Sequence, residues 1–144
     1  MRALIVSLVV AGALVACSSS TDVTSGAKKT LDRNQALWEQ RSFASYEYDL
    51  ALLDGSFGKD VHITVNGTTV VSVVDTTGDP VTDDYHYPTI DDLFATAQAA
   101  FGQRNTRLEM DFNQQYGYPT TIVVTTNSAV PPYSAHASNL TPIP

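Results

Sequence analysis

Leu14-Val15-Ala16-Cys17 carries the clearest chemistry in the sequence. Small and apolar residues lead into the only cysteine of the chain, the arrangement of a lipobox, where the thiol and the freed amine both take lipid. Arg2 gives a short basic region and Ala3 to Val10 an apolar run. That run is too short for a permanent bilayer-spanning helix, so cleavage ahead of Cys17 is expected. Several acyl chains on Cys17 would anchor the protein stably to a membrane. Lipidation also consumes the sole thiol, which excludes disulfides, thiolate metal sites and cysteine nucleophiles.

Other residues offer weaker chemistry. Asp75, Asp79, Asp83 and Asp84 crowd one loop with Gly78. Oxygen-rich loops bind calcium, but this spacing fits no EF-hand, and a solvated loop explains it as well. His62, His86 and His136 would suit zinc only if the fold gathered them with an acid. Tyr85, Tyr87, Tyr116, Tyr118 and Tyr133 offer an aromatic recognition surface. The alternative is that Gly117-Tyr118-Pro119 is a tight turn with its tyrosine in the core. The chain has no G-x-S-x-G elbow, no H-E-x-x-H and no phosphate-cradling glycine loop. No catalytic residues and no cofactor are expected.

The elements that must position these residues are legible in the periodicity. Ser18 to Lys29 is nearly free of apolar residues and reads as a flexible tether, with a span of roughly 20 Å. Thr30 to Ser42 reads as a helix, with Thr30 as N-cap and Leu37 and Trp38 as its apolar weight. Ser45 to Leu53 and Asp60 to Val65 alternate as strands. Asn66-Gly67 predicts a type I′ hairpin turn into a return strand, Val70 to Asp75. Thr89 caps a second helix with Asp92 at the capping-box position. Ile90, Leu93, Phe94, Ala97 and Phe101 line its inner face, and Gly102 ends it. Thr106 to Phe112 and Thr120 to Thr126 are strands, and Tyr133 to Leu140 a last edge strand. Hairpin links and one-sided alternation predict an α+β domain over 30–144: one antiparallel sheet of five or six strands with two helices on one face.

Formal net charge is -7 and falls to about -8 once Arg2 leaves with the 1–16 leader. The acids are scattered, which argues against nucleic acid and anionic headgroups as partners.

Trp38, Tyr46-x-Tyr48, Asn66-Gly67, the run Pro88-Thr89-Ile90-Asp91-Asp92-Leu93-Phe94, and Tyr116-Gly117-Tyr118-Pro119-Thr120 leading to Ile122 form a recognisable set. With them the chain resembles the bacterial lipoprotein family called domain of unknown function 6174, over roughly residues 34 to 126. The resemblance implies no activity. Leu53 to Phe57 stands where many members carry paired cysteines, and Asn113 and Thr125 stand where members often carry aspartates. An acid-dependent metal site is therefore not implied.

Together these readings predict a lipid-anchored envelope protein whose 17–29 segment tethers a non-catalytic binding domain. Its partners would be the membrane, through Cys17, and another envelope protein or a small ligand, met through Tyr85, Tyr87, Tyr116 and Tyr118. Ser18 lacks the aspartate that retains such proteins at the inner membrane. The expected address is thus the outer membrane where the host has one, with the domain facing the periplasm or the exterior. The alternative is a ligand- or metal-binding sensor using the 75–84 loop and His86.

Overall fold

The structure is a computed structural model that describes residues 21–126 and 132–144, with side chains from Ser25 onward. The leader and Cys17 lie outside the described residues. The described residues form α1 (Thr21–Glu39), β1 (Ser45–Asp54), β2 (Phe57–Asn66), β3 (Thr69–Asp75), α2 (Ile90–Phe101), β4 (Thr106–Phe112), β5 (Pro119–Thr126) and β6 (Tyr133–Ile143). The six strands make one antiparallel sheet in the order β3-β2-β1-β6-β5-β4. Two three-strand meanders thus meet at β1 and β6, and α2 carries the chain between them. Both helices cover the same face, as the alternation implied.

Alternation decides that face. Tyr46, Tyr48, Leu50 and Leu52 of β1, Val61, Ile63 and Val65 of β2, Ile122 of β5 and Ala135 and Ala137 of β6 point into the core. They meet Leu31 and Trp38 of α1 and Ile90, Leu93, Phe94, Ala97 and Ala100 of α2. The α2 capping box forms as expected: Asp92 N–H donates to Thr89 Oγ1 at 3.1 Å, and Thr89 N–H to Asp92 Oδ2 at 2.8 Å. At its other end Ala100 is buried and Phe101 only partly so. Gly102 ends the helix without the left-handed turn expected of it, with φ -83°.

Four further expectations change. α1 begins at Thr21 rather than Thr30, so positions 21–29 of the expected tether are helical. Ala27, Lys28 and Lys29 are good helix formers, and Lys28 pairs with Asp32 one turn on at 2.5 Å. Thr30 is therefore not an N-cap, and its hydroxyl donates to the Gly26 carbonyl. The β2–β3 turn has Gly67 and Thr68 at its centre, and only Gly67 has positive φ, 64°. A single positive φ at the first central position is the II′ pattern, whereas I′ needs two. β2 starts at Phe57, because Gly55, at φ 63°, closes the β1–β2 hairpin the same way. Finally, β6 is no edge strand. It runs to Ile143 between β1 and β5. A bulge places Asn139, in the left-handed region at φ 53°, opposite Tyr48.

Candidate functional site

Of the residues that carry the family resemblance, all but the Asn66-Gly67 turn lie in or around one knot that joins both helices to the sheet. Trp38 Nε1 donates to Asp91 Oδ1 at 3.0 Å, tying α1 to the start of α2. The Arg41 guanidinium lies 4.0 Å over the Trp38 ring and 3.6 Å from Asp91 Oδ2. Ile90 N–H donates to Tyr46 Oη at 3.1 Å, so a β1 side chain satisfies a free amide of the helix start. Tyr48 Oη donates to the Pro88 carbonyl just ahead of it. Burial pushes the Tyr46 phenol up to about 12 and raises Tyr48 well above its ordinary value. Both phenols stay protonated at neutral pH, Tyr46 accepting from the Ile90 amide and Tyr48 donating to the Pro88 carbonyl.

The Tyr116-Gly117-Tyr118-Pro119 turn locks onto the same knot. Asn113 Oδ1 accepts from Gln115 N–H at 2.9 Å and Tyr116 N–H at 2.8 Å. Gly117 has φ 78°, and a Cβ there would clash with the Asn34 carbonyl oxygen. Tyr118 is 5 % exposed and packs edge-on to Trp38 at 6.3 Å.

The expected tyrosine surface therefore does not assemble as one patch. Tyr118 belongs to the core, and Tyr116 packs on Phe43 at 5.2 Å beside it. Tyr85 and Tyr87 form a separate group around Phe57, with Tyr85 stacked on that ring at 4.3 Å. Tyr87 is buried and donates to Asp83 at 3.0 Å; burial, then that carboxylate, pushes its phenol up to about 12. Tyr85 donates to Asp54 at 2.9 Å.

Structural bonds also engage Asp75, Asp79 and Asp83 of the 75–84 loop. Asp75 Oδ1 accepts from Thr77 N–H, Thr77 Oγ1 and Asp79 N–H, which closes the loop and lowers its pKa. Lys59 lies 2.7 Å from Asp83 and holds that carboxyl below its usual range. The His86 side chain is 89 % exposed and stands 4.0 Å from Asp92, the capping acid. Among the described residues no three histidine or acidic side chains converge as metal ligands.

What sequence reasoning missed lies on the other face of the sheet, which neither helix covers. Cross-strand register places Val74, His62, Asp49 and Ser138 in one row. The next row reads Asp60, Ala51, His136, Thr121 and Asp111. His62 Nδ1 donates to Asp49 Oδ1 at 2.7 Å, and Asn139 Nδ2 to Asp49 Oδ2 at 2.7 Å. Glu47 stands 3.5 Å from His62 Nε2. The Asp49 bond raises the His62 pKa, and Asn139, then His62, lower that of Asp49. A concavity of about 730 Å³ opens over these rows, with the 75–78 loop on its lining. Such a volume suits a small ligand or a few partner side chains. The outward positions of β1 and β2 showed in the alternation. Their union with β6 did not, because it depends on a long-range pairing.

Fold and site define a class before any activity: an α+β domain with one closed and one open sheet face. The chain belongs to a family of unknown function, DUF6174, whose family model matches residues 30–136. No curated protein and no solved structure matches the chain.

Proposed function

We propose that this chain is a membrane-anchored envelope lipoprotein, held by lipid on Cys17, whose domain acts by binding another envelope protein rather than by catalysis. The observation that carries the reading is the uncovered sheet face. Sheets in two-layer domains commonly leave one face to solvent, but that face is then usually flat and polar. Here it combines a concavity, with Ala51 and Val74 on its lining, with the apolar side chain of Leu53, 39 % exposed. Tyr87 and Tyr118 are buried and the tyrosines form two separate groups, so this reading puts the binding surface on β1, β2 and β6. The leader and lipobox sequence supports the anchor.

Photocrosslinking tests both parts. A benzoylphenylalanine at Ser138 on the open face, or at Ala95 on the helix layer, is irradiated in intact cells. Adducts from position 138 that disappear when Cys17→Ser removes the anchor are the expected result. Adducts from position 95 alone would overturn the assignment of the face. Unchanged membrane association of Cys17→Ser would overturn the anchor.

A further inference from the structure

The charge of the open face specifies the partner's chemistry. By register, Glu47, Asp49, Asp60, Glu109 and Asp111 all project from it. Among the described strand residues, Arg107 is the only lysine or arginine in those rows, and Glu109 neutralises it at 2.8 Å. Asp49 is engaged by His62 and Asn139. Asp60 and Asp111 are exposed and make no side-chain hydrogen bond or ion pair among the described residues. They end the row that runs through Ala51 and His136: Asp60 lines the concavity, and Asp111 lies two strands beyond His136 on the same face. No lysine or arginine lines that concavity. The face thus presents one unpaired carboxylate at a partly apolar hollow and another further along the same row, which complements lysine or arginine side chains with long methylene stems.

We propose that the open face docks a basic protein segment, whose cationic side chains meet Asp60 in the concavity and Asp111 further along the same row. The inference rests on the binding-module reading above and adds the partner's charge. Carboxylate oxygens accept from guanidinium or ammonium groups, while the stems cover Ala51 and Val74.

The test uses the full lipidated chain in detergent micelles and a fluorescein-labelled peptide of alternating lysine and alanine. Fluorescence anisotropy reads binding at low and physiological salt. Asp60→Asn with Asp111→Asn should weaken binding at least about fivefold, as expected for two surface ion pairs. Raising the salt should weaken the wild type more than this variant. A control of equal charge change, Glu39→Gln with Asp84→Asn, lies off the face and should shift binding less than about twofold. Melting of both variants is recorded, since neither open-face aspartate holds a structural contact. Equal weakening by both pairs would mean bulk charge alone and would overturn the proposal, as would no binding of the peptide at low salt. If the peptide fails while photocrosslinks from position 138 persist in cells, the basic partner is refuted and the binding module stands. If both fail, the module reading falls with it.

Discussion

Gly117 shows how one residue fixes the relation of two elements. Its φ of 78° and the close Asn34 carbonyl both exclude a side chain. Gly117→Ala should therefore cost about 1–3 kcal/mol, read by urea denaturation. Gly78→Ala is the control, because its φ of 90° is also positive but open space surrounds it; it should cost less. Equal losses would show that the approach to α1 is not tight. Tyr46→Phe is a second residue-scale test. It leaves the Ile90 amide buried without its acceptor and should cost about 1–3 kcal/mol. His62 sets a pH dependence. Its folded pKa is raised above 6.5, so its contribution is full below 6.5 and is lost as pH rises through the folded value. Asp49, lowered from 3.8, contributes above 3.8 and loses that contribution as pH falls. The pair should thus stabilise most between 3.8 and 6.5. Both groups are well exposed, so His62→Gln should cost only about 0.5 kcal/mol near that optimum and less at alkaline pH, where the charge of His62 is gone. A melting difference that grows with alkalinity would contradict the sign. The sequence showed which of these residues were unusual but not their partners, since Tyr46 and Ile90 lie far apart along the chain.

At the scale of elements, local signals succeeded where the physics is local. The α2 capping box, its apolar spacing and the β1–β2 alternation all depend on near neighbours, and all are present in the structure. Phe94 is 1 % exposed beneath α2, and Phe94→Ala should cost about 3–5 kcal/mol in thermal or urea melting. A loss under about 1 kcal/mol would place α2 on the surface. β6 was misjudged because Ala135 and Ala137 contribute little apolar weight to the sequence yet lie fully under the helices. Pro131 and Pro132 ahead of it also suggested an edge. Its central place predicts that a stop after residue 132 removes the cooperative unfolding transition altogether. A true edge strand would leave a weakened but cooperative domain.

For the whole molecule, the residues that mark the family build the fold rather than a reactive centre. Trp38, Tyr46, Tyr48, Asp91 and Tyr118 hold helix to sheet. None of them projects from the open face. That face was invisible in one dimension, because it joins β1, β2, β6 and β5 from both halves of the chain. Its occupation in cells is the central claim, and thiol accessibility measures it directly. Ser138→Cys and Ala95→Cys each add a thiol to a chain whose own cysteine would carry lipid. Both positions are exposed in the isolated domain. Maleimide labelling is followed in the purified chain and in intact cells, with accessibility of the bulk envelope controlled by Ala95→Cys. The account predicts that position 138 labels quickly when purified and slowly in cells, while position 95 labels at the same rate in both. Equal labelling of position 138 in both settings would contradict it.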